Sequence, residues 1–269
     1  MDSLSILIFC LAWGVCFFPL FSQLTPQVRE LRQIKTPKEK FHIYLLIGQS
    51  NMAGRGIVEP QDTIGNERIL RMNRDGNWDV AKDPIHFDKS EAGVGPGLAF
   101  ACEMLKEQEE DVTIGLLPCA AGGTNISIWL NDDFWHQTKT YPYNNMLLRT
   151  KLALKDGTLK GIIWHQGEGD AFDEELMIVY KERLIHLINQ IRIAFDKPNL
   201  PFIVGELPCF NSSGKRINPI LHEIKENVVS YDVVSGSDLH SLSDKVHLDA
   251  ASARELGKRY AEKLKNINY

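Results

Sequence analysis

Residues 41–54 read FHIYLLIGQSNMAG, and this stretch decides the fold class. Residues 41–47 form a short apolar run that ends at Gly48. A short apolar run bounded by a turn residue is typical of a buried strand. The polar residues Gln49, Ser50 and Asn51 follow at once. The turn that follows the strand therefore carries polar side chains that can take part in catalysis or binding.

Four more apolar runs repeat this pattern, and helical segments separate them. The predicted strands are Phe41–Gly48, Val112–Leu117, Leu159–His165, Pro201–Leu207 and Tyr231–Val234. The predicted helices are Leu98–Gln108, Asn145–Lys155, Glu174–Phe195, Leu221–Val228 and Asp249–Leu264. Strand–helix alternation predicts an α/β fold with a mostly parallel sheet and helices on both faces. The region 53–95 lacks clear periodicity and is predicted to form loops.

The chain has 269 residues and a formal net charge of -5. No basic run is present, which argues against nucleic acid as the main partner. Residues 4–21 are apolar and uncharged, and residues 1–22 are interpreted as a secretory signal peptide, so we expect a secreted protein. The run is also long enough for a membrane anchor, although no stable membrane partner is expected. A polar segment at 23–40 leads into one domain over 41–269, whose oligomeric state the sequence does not indicate.

Beyond the leader the chain carries Cys102, Cys119 and Cys209. One bridge between Cys119 and Cys209 with a free third thiol, or three buried free thiols, both fit an odd number of cysteines. The spacings of cysteine and histidine do not resemble a zinc site.

The residues after each strand are the candidates for chemistry, because the carboxyl ends of parallel strands meet at one edge of the sheet. Ser50 follows the first strand and is either a nucleophile or a helix N-cap. The turn CAAGGTN at 119–125 follows the second strand. Its glycines either bring backbone N–H groups close to an anion or simply form a tight turn.

The third strand ends in WHQGEGD at 164–170, a polar set in which the Gln166 amide can donate a hydrogen bond. His165 and Glu168 suggest a metal only weakly, because a third ligand is not evident. Near the C-terminus, Asp244 precedes His247 by three residues, so its carboxylate is able to orient the imidazole of a general base. A surface loop is the alternative for this segment. Taken in chain order, the four segments indicate acyl transfer.

These segments also resemble a known family, the SGNH hydrolases of the GDSL-like superfamily. The matching words are IGQSNMAGRG (47–56), AAGGTNISIW (120–129), WHQGEGD (164–170) and DKVHLDA (244–250). The chain is most similar to carbohydrate esterase family 6, the sialate O-acetylesterase domain and plant-type carbohydrate esterases. The resemblance covers about residues 41–265.

The resemblance implies a three-layer α/β/α sandwich that hydrolyses O-acetyl esters of carbohydrates, as an acetyl xylan esterase does. It assigns Ser50 as nucleophile, with Asp244 and His247 as the other members of a triad. It places the backbone N–H of Ser50, that of Gly123 or Gly122, and the Gln166 side chain in the oxyanion hole. This mechanism requires no metal and no cofactor. Its expected partner is an acetylated carbohydrate, in particular a cell-wall polysaccharide.

Two other functions fit parts of the sequence. A lipase or aryl esterase would share the same scaffold and triad. A glycan-binding protein would use exposed aromatic rings, for which Trp129, Trp135, Tyr141 and Tyr143 are candidates, although such rings equally serve packing. An intact set of Ser50, Asp244 and His247 argues against a binding protein that has lost activity. Glu168 either braces the third segment or is a structural acid.

Overall fold

The computed structural model describes residues 30–268. The strands are β1 (Leu31–Arg32), β2 (Phe41–Gly48), β3 (Ile69–Met72), β4 (Trp78–Val80), β5 (Thr113–Pro118), β6 (Thr158–His165), β7 (Phe202–Gly205) and β8 (Tyr231–Val234). The helices are α1 (Ser50–Ala53), α2 (Pro96–Leu105), α3 (Ile126–Leu130), α4 (Pro142–Ala153), α5 (Glu174–Ile178), α6 (Tyr180–Ala194), α7 (Ser212–Ile224) and α8 (Ala250–Asn268). The signal peptide predicted for residues 1–22 lies outside the described residues. Within 30–268 no helix is both long and apolar enough to span a bilayer.

The eight strands form one sheet in the order β1-β4-β3-β5-β2-β6-β7-β8. The six strands in the order β3-β5-β2-β6-β7-β8 are parallel to one another, and β4 near one edge pairs antiparallel with both β3 and β1. The central strand is β2, and the chain builds β3, β4 and β5 on one side of it before crossing to β6, β7 and β8. Such a reversal leaves a crevice at the carboxyl ends of the strands. The residues that follow β2 therefore lie at this crevice.

Helices cover both faces of the sheet. Along β2, Phe41, Ile43 and Leu45 point into a core shared with α3, α4, α6 and α7. Tyr44 and Leu46 point the other way, into a core shared with α2 and α8. This alternation is the two-residue period of a strand with both faces buried. The predicted three-layer α/β/α sandwich is confirmed.

The prediction that residues 53–95 form loops is wrong for β3 and β4, which extend the sheet. These strands have only four and three residues and carry Arg71 and Asp79, whose buried side chains form an ion pair at 2.9 Å. Because this buried ion pair interrupts the apolar pattern, the strands have no clear signature in the sequence. The segment 23–40 likewise contributes the edge strand β1, which pairs with β4.

All five predicted helices have counterparts; three of them, α2, α4 and α8, differ from the prediction by a few residues at their ends, and the other two differ more. The predicted helix Glu174–Phe195 is split into α5 and α6, because Val179 leaves the helical conformation with φ -103° and ψ 2°. Helix α7 begins at Ser212 rather than at the predicted Leu221, since the Asn211 side chain caps its first turn by accepting from the N–H of Ser213 at 2.9 Å. Pro219 lies inside this helix, so its composition resembles a loop.

The three cysteines of the described chain are free, and the predicted Cys119–Cys209 bridge is wrong. Cys119 follows β5 and Cys209 follows β7, and β2 and β6 lie between these strands. Three strand spacings amount to roughly 14 Å, about twice the Cα separation that a disulfide spans. Three buried thiols are also not found, because only Cys119 is buried. Burial raises the pKa of Cys119 to about 11.

Candidate active site

Ser50 stands where the central strand β2 ends and α1 begins. Gly48 closes the strand with φ +130°, and a Cβ there would lie 2.1 Å from the carbonyl oxygen of His165. Only glycine fits so close to another backbone. The N–H of Gln49 then donates to the same carbonyl at 2.9 Å. This tight turn over the end of β6 presents Ser50 at the crevice.

Ser50, His247 and Asp244 form a hydrogen-bonded chain. Ser50 Oγ lies 3.0 Å from His247 Nε2, and His247 Nδ1 lies 2.7 Å from Asp244 Oδ2. When Nδ1–H donates to the carboxylate, Nε2 carries the lone pair and accepts from the serine hydroxyl. The structure thus brings the three predicted residues into direct contact, in the order that acyl transfer requires.

The turn that carries Asp244 keeps its carboxylate ionised. Asp244 Oδ1 accepts from the N–H groups of Val246 and His247, at 2.9 and 3.0 Å, while Oδ2 faces the imidazole. Partial burial acts to raise the pKa of Asp244, but these hydrogen bonds outweigh it and hold the pKa below its ordinary value. Because Asp244 precedes His247 by three residues, it can accept from both the backbone N–H and the imidazole of His247.

Asn51 ties the nucleophile to the histidine loop. Its Oδ1 accepts from the N–H of Leu248 at 2.9 Å, and its Nδ2 donates to the carbonyl of Val246 at 3.2 Å. These are the two chain neighbours of His247. The same Nδ2 donates to Glu168 Oε1 at 2.7 Å. Asn51 is therefore a positioning residue that fixes the height of the imidazole above Ser50.

Glu168 is a buried carboxyl beside this cleft. Burial raises its pKa to about 7, against a smaller opposing effect of the Asn51 hydrogen bond. Its Oε1 accepts from Asn51, whereas Oε2 is buried with no partner among the described residues. Glu168 is therefore a buried structural acid, and its bracing contact is to Asn51 beside Ser50 rather than within the third segment.

We expect Glu168→Gln to remove a pH-dependent loss of stability. The pKa rises from 4.5 to about 7 on folding, so the native state holds the extra proton. The contribution of Glu168 to the unfolding free energy is therefore fully present below pH 4.5, and it is lost as the pH rises from there through about 7. Glutamine stays neutral and still accepts from Asn51. Urea unfolding should show a gain in unfolding free energy at pH 8 that is absent at pH 4.5.

The exposed carboxylate Glu110 provides the matched control. Glu110→Gln should shift the unfolding free energy by the same small amount at both pH values. An equal effect of Glu168→Gln at pH 4.5 and pH 8 would contradict the buried, protonated state of Glu168.

The turn after β5 carries two adjacent glycines with different roles. The N–H of Gly122 donates to Asp88 Oδ2 at 3.0 Å, and the same carboxylate pairs with Arg55 at 2.9 Å. The carbonyl of Gly122 accepts from Trp135 Nε1 at 2.9 Å. Gly123, with φ +85°, lines the cleft, and its N–H has no acceptor among the described residues. Of the two glycines that the sequence left open, Gly123 is the one with an available donor.

Gln166 does not reach the cleft, which corrects its assignment to the oxyanion hole. The side chain is fully buried, and Nε2 donates to Asp170 Oδ2 at 2.5 Å and to the carbonyl of Thr124 at 3.0 Å. Its Oε1 accepts from the Tyr180 hydroxyl at 3.1 Å. Burial also raises the pKa of Asp170 to about 6. Both amide hydrogens are thus used inside the fold, and Gln166 is a structural residue.

Gln166→Ala should consequently reduce stability. The substitution removes the buried hydrogen bonds that the amide makes to the Asp170 carboxyl, the Thr124 carbonyl and the Tyr180 hydroxyl, at a cost of about 2–4 kcal/mol in unfolding free energy. Urea denaturation of the variant should show this loss, and Gln33→Ala, at an exposed glutamine, should not. A Gln166→Ala protein of unchanged stability with a large fall in kcat would restore the oxyanion assignment.

A cleft of about 630 Å³ opens over Ser50. Charged and amide side chains contribute to its lining, namely Gln49, Arg55, Lys89, Glu91, Gln137 and Glu168. Phe172 also lines it, with 64% of its surface exposed. The cleft is therefore accessible to a ligand that offers both hydroxyl groups and a flat apolar face.

The four aromatic residues proposed for sugar stacking do not line this cleft. Trp129 is fully buried in the core, and Trp135 and Tyr143 pack against it. Tyr141 is half exposed, and its neighbour in space is Phe134, with ring centroids 5.2 Å apart. Packing is thus the role of Trp129, Trp135 and Tyr143.

Metal ligation finds no geometric support in the described chain. No group of three or more His, Cys, Asp or Glu side chains within residues 30–268 is placed to hold an ion. His165 is fully buried, its Nδ1 lies 3.1 Å from the Tyr260 hydroxyl, and burial lowers its pKa to about 4.

Sequence reasoning missed Gln49, Asn51 and Asp88. Gln49 lines the cleft, and its Oε1 accepts from Gln166 Nε2 and from the N–H of Gly169, each at 3.4 Å. Gln49 and Asn51 flank Ser50, but neighbouring positions alone do not reveal which side chains point into a site. Asp88 lies in the region without periodicity, where no pattern marks it.

Comparison with known proteins agrees with this architecture. The model of the family described as carbohydrate esterase, sialic acid-specific acetylesterase, matches residues 40–266. A protein of Arabidopsis thaliana named "probable carbohydrate esterase" is 32% identical over 250 residues, which are 86% of this chain and 92% of that protein.

Solved structures give the same result. An X-ray structure of an Arabidopsis thaliana protein is 30% identical, covers 84% of this chain and 98% of its own, and superposes with a TM-score of 0.76. The crystal structure of NanS shares the fold, with a TM-score of 0.67, 15% identity and coverage of 86% and 98%. Since the family model spans nearly all of the described residues, the chain belongs to the carbohydrate esterases of the sialic acid-specific acetylesterase family and is a carboxylic ester hydrolase.

Proposed function

We propose that this esterase removes O-acetyl groups from carbohydrates by acyl transfer through Ser50. The observation that carries the proposal is the continuous hydrogen-bonded chain from Ser50 Oγ through His247 to Asp244. A serine hydroxyl is a weak nucleophile until a base accepts its proton, and this chain supplies the base and orients it.

In the first step His247 Nε2 takes the Ser50 proton while Oγ attacks the acetyl carbonyl carbon. The carbonyl π electrons move to oxygen and give a tetrahedral oxyanion. His247 then passes its proton to the sugar oxygen, the bond between that oxygen and the acetyl carbon breaks, and an acetyl-Ser50 ester remains. In the second step His247 deprotonates water, the hydroxide attacks this ester, and acetate and free Ser50 form. Asp244 remains ionised throughout and stabilises the imidazolium.

Three donors around the oxyanion fit the geometry once Gln49 takes the place predicted for Gln166. Ser50 and Gly123 line the cleft, their backbone N–H groups have no acceptor among the described residues, and Gln49 supplies the third donor. The N–H of Gly169 donates to Gln49 Oε1, and the Gln166 amide nitrogen lies 3.4 Å from the same oxygen, so the amide nitrogen Nε2 of Gln49 is the end left for the cleft. Such preorganised donors usually contribute the largest share of acyl-transfer catalysis.

An acetylated sugar suits the cleft better than a lipid. Lys89 and Gln137 offer hydrogen bonds to sugar hydroxyls, and the exposed ring of Phe172 offers a face on which a pyranose can stack. Within this class we propose a cell-wall polysaccharide, such as acetylated xylan, as the natural substrate.

Acetate release from defined substrates tests this function. Acetylated xylan, pectin and mannan, together with an O-acetylated sialic acid, would be compared at equal acetyl content with Ser50→Ala as the blank. We expect release from at least one polysaccharide at a rate above that from the sialic acid. A preference for long-chain acyl esters over all the sugars would instead establish a lipase or aryl esterase.

A polysaccharide substrate outside the cell requires export, and we propose that residues 1–22 act as a cleaved secretory leader. N-terminal sequencing of protein expressed in a eukaryotic secretory host should begin near Gln23. An intact Met1 on a protein retained in the cytosol would exclude this localisation.

A further inference from the structure

A second, smaller cavity lies behind the turn that carries Gly122 and Gly123. It has a volume of about 210 Å³ and shares no lining residue with the catalytic cleft. Ala120 and Ala121 of the turn form one wall, α4 contributes Asn145 and Arg149, and the segment 74–88 contributes Arg74 and His86. This volume is several times the roughly 30 Å³ that one water molecule occupies in the liquid.

Arg149 is a buried cation whose hydrogen bonds are incomplete. Only 9% of its surface is exposed, and its terminal nitrogens donate to the carbonyls of Met72 and Asn73, at 2.9 and 3.0 Å. Its guanidinium also lies 5.1 Å from the centre of the Phe87 ring. The Nε–H group is buried and has no hydrogen-bond partner among the described residues. A buried charge normally requires a counter-charge, and Arg149 forms no ion pair within residues 30–268.

The neighbouring carboxylates are already paired. Asp88 lines the cavity, but its oxygens accept from Arg55 and from the N–H of Gly122. The carboxylate of Asp79 pairs with Arg71. Arg74, an exposed residue of the cavity lining, adds a second cation, which contacts the ring and the carbonyl of Phe87. The cavity therefore carries an excess of positive charge.

His86 contributes an acceptor to the same cavity. Its side chain is buried, and Nε2 has no partner among the described residues. Burial lowers the pKa of His86 to about 4, against the opposing influence of Asp88, so the ring is neutral at neutral pH. A neutral imidazole carries hydrogen on one nitrogen only, so with that hydrogen on Nδ1 the unpartnered Nε2 presents its lone pair to the cavity.

We propose that this cavity binds a small hydroxycarboxylate anion. The carboxylate accepts from Arg149 Nε and from Arg74, and the hydroxyl donates to His86 Nε2. One such anion provides hydrogen-bond partners for both Arg149 Nε and His86 Nε2 and also balances the charge of Arg149. A neutral sugar would not balance the charge, and a simple cation would add to it.

Calorimetric titration of the full chain with sodium glycolate, at constant ionic strength, tests the proposal. Glycolate is expected to bind saturably at one site, acetate to bind more weakly because it lacks the hydroxyl, and the neutral analogue glycolamide to bind at least about tenfold more weakly than glycolate. No saturable heat with glycolate, or equal binding of glycolamide, would overturn the proposal and leave water as the occupant of the cavity.

Variants locate the binding. Arg149→Lys keeps the buried charge but removes Nε–H, and it should weaken glycolate binding about tenfold. Should this variant fail to fold, Arg74→Gln, at an exposed position, should weaken binding in the same direction. Lys89→Gln removes a cation of the catalytic cleft instead and should leave glycolate binding unchanged. The opposite pattern, sensitivity to Lys89 and indifference to Arg74, would place the anion in the cleft and refute the site.

Discussion

Replacement of Ser50 by alanine is expected to lower kcat by about 10⁴- to 10⁶-fold. The substitution removes the oxygen that attacks the acetyl carbon, and only the oxyanion donors and substrate binding remain to accelerate hydrolysis. Initial rates with an aryl acetate and with an acetylated oligosaccharide should fall together, since both use the same nucleophile.

The fold should survive this change. Ser50 Oγ has its hydrogen-bond partner in the histidine loop, and His247 itself retains a quarter of its side-chain surface exposed to solvent. Water is therefore able to replace the lost hydroxyl, and the midpoint of urea unfolding should stay close to that of the wild type. Full activity of a folded Ser50→Ala protein would exclude this residue as the nucleophile.

Replacement of Asp244 by asparagine should lower kcat by about 10⁴-fold. Asparagine keeps an acceptor for the N–H groups of Val246 and His247, but its amide nitrogen then faces His247 Nδ1. The imidazole responds by carrying its proton on Nε2, where it no longer accepts from Ser50. The loss is in kcat, because the acetyl group and the sugar bind elsewhere in the cleft.

Asp249 on the same segment provides the control. Its Oδ1 accepts from the N–H of Ser252 and caps α8, a role that asparagine also fills. Asp249→Asn should retain near wild-type kcat, and rate measurements from pH 5 to 9 should separate the two variants. Equal activity of Asp244→Asn and the wild type would mean that the carboxylate does not set the tautomer of His247.

The positions of Ser50, Gly123, Asp244 and His247 could be predicted because each follows a strand or precedes a helix that the apolar pattern indicates. In a parallel sheet such positions meet at one edge, whatever their separation in the chain. The central strand β2 has the bounds that its apolar run predicts. The direction of the backbone and the two-residue period of the strands are therefore sufficient to predict where these four residues lie.

The role of Gln166 could not be predicted on the same basis. A side chain in a turn has several directions open to it, and the choice here depends on Asp170 of the same turn and on Tyr180, the first residue of α6. Likewise, the choice between Gly122 and Gly123 depends on Asp88, from a region where the sequence shows no periodicity. Hydrogen-bond partners that only the folded chain brings together cannot be identified from the neighbouring sequence.

The central claim is that Ser50 is the nucleophile of an acyl-transfer site, and covalent trapping tests it most directly. Incubation with an acetyl-sized organophosphonate, followed by peptide mass mapping, should place one adduct on the peptide that contains Ser50, with loss of activity in proportion to labelling. Adduct formation should be abolished in Ser50→Ala and strongly slowed in Asp244→Asn. A stoichiometric adduct on another residue, or full activity after complete labelling of Ser50, would contradict the account.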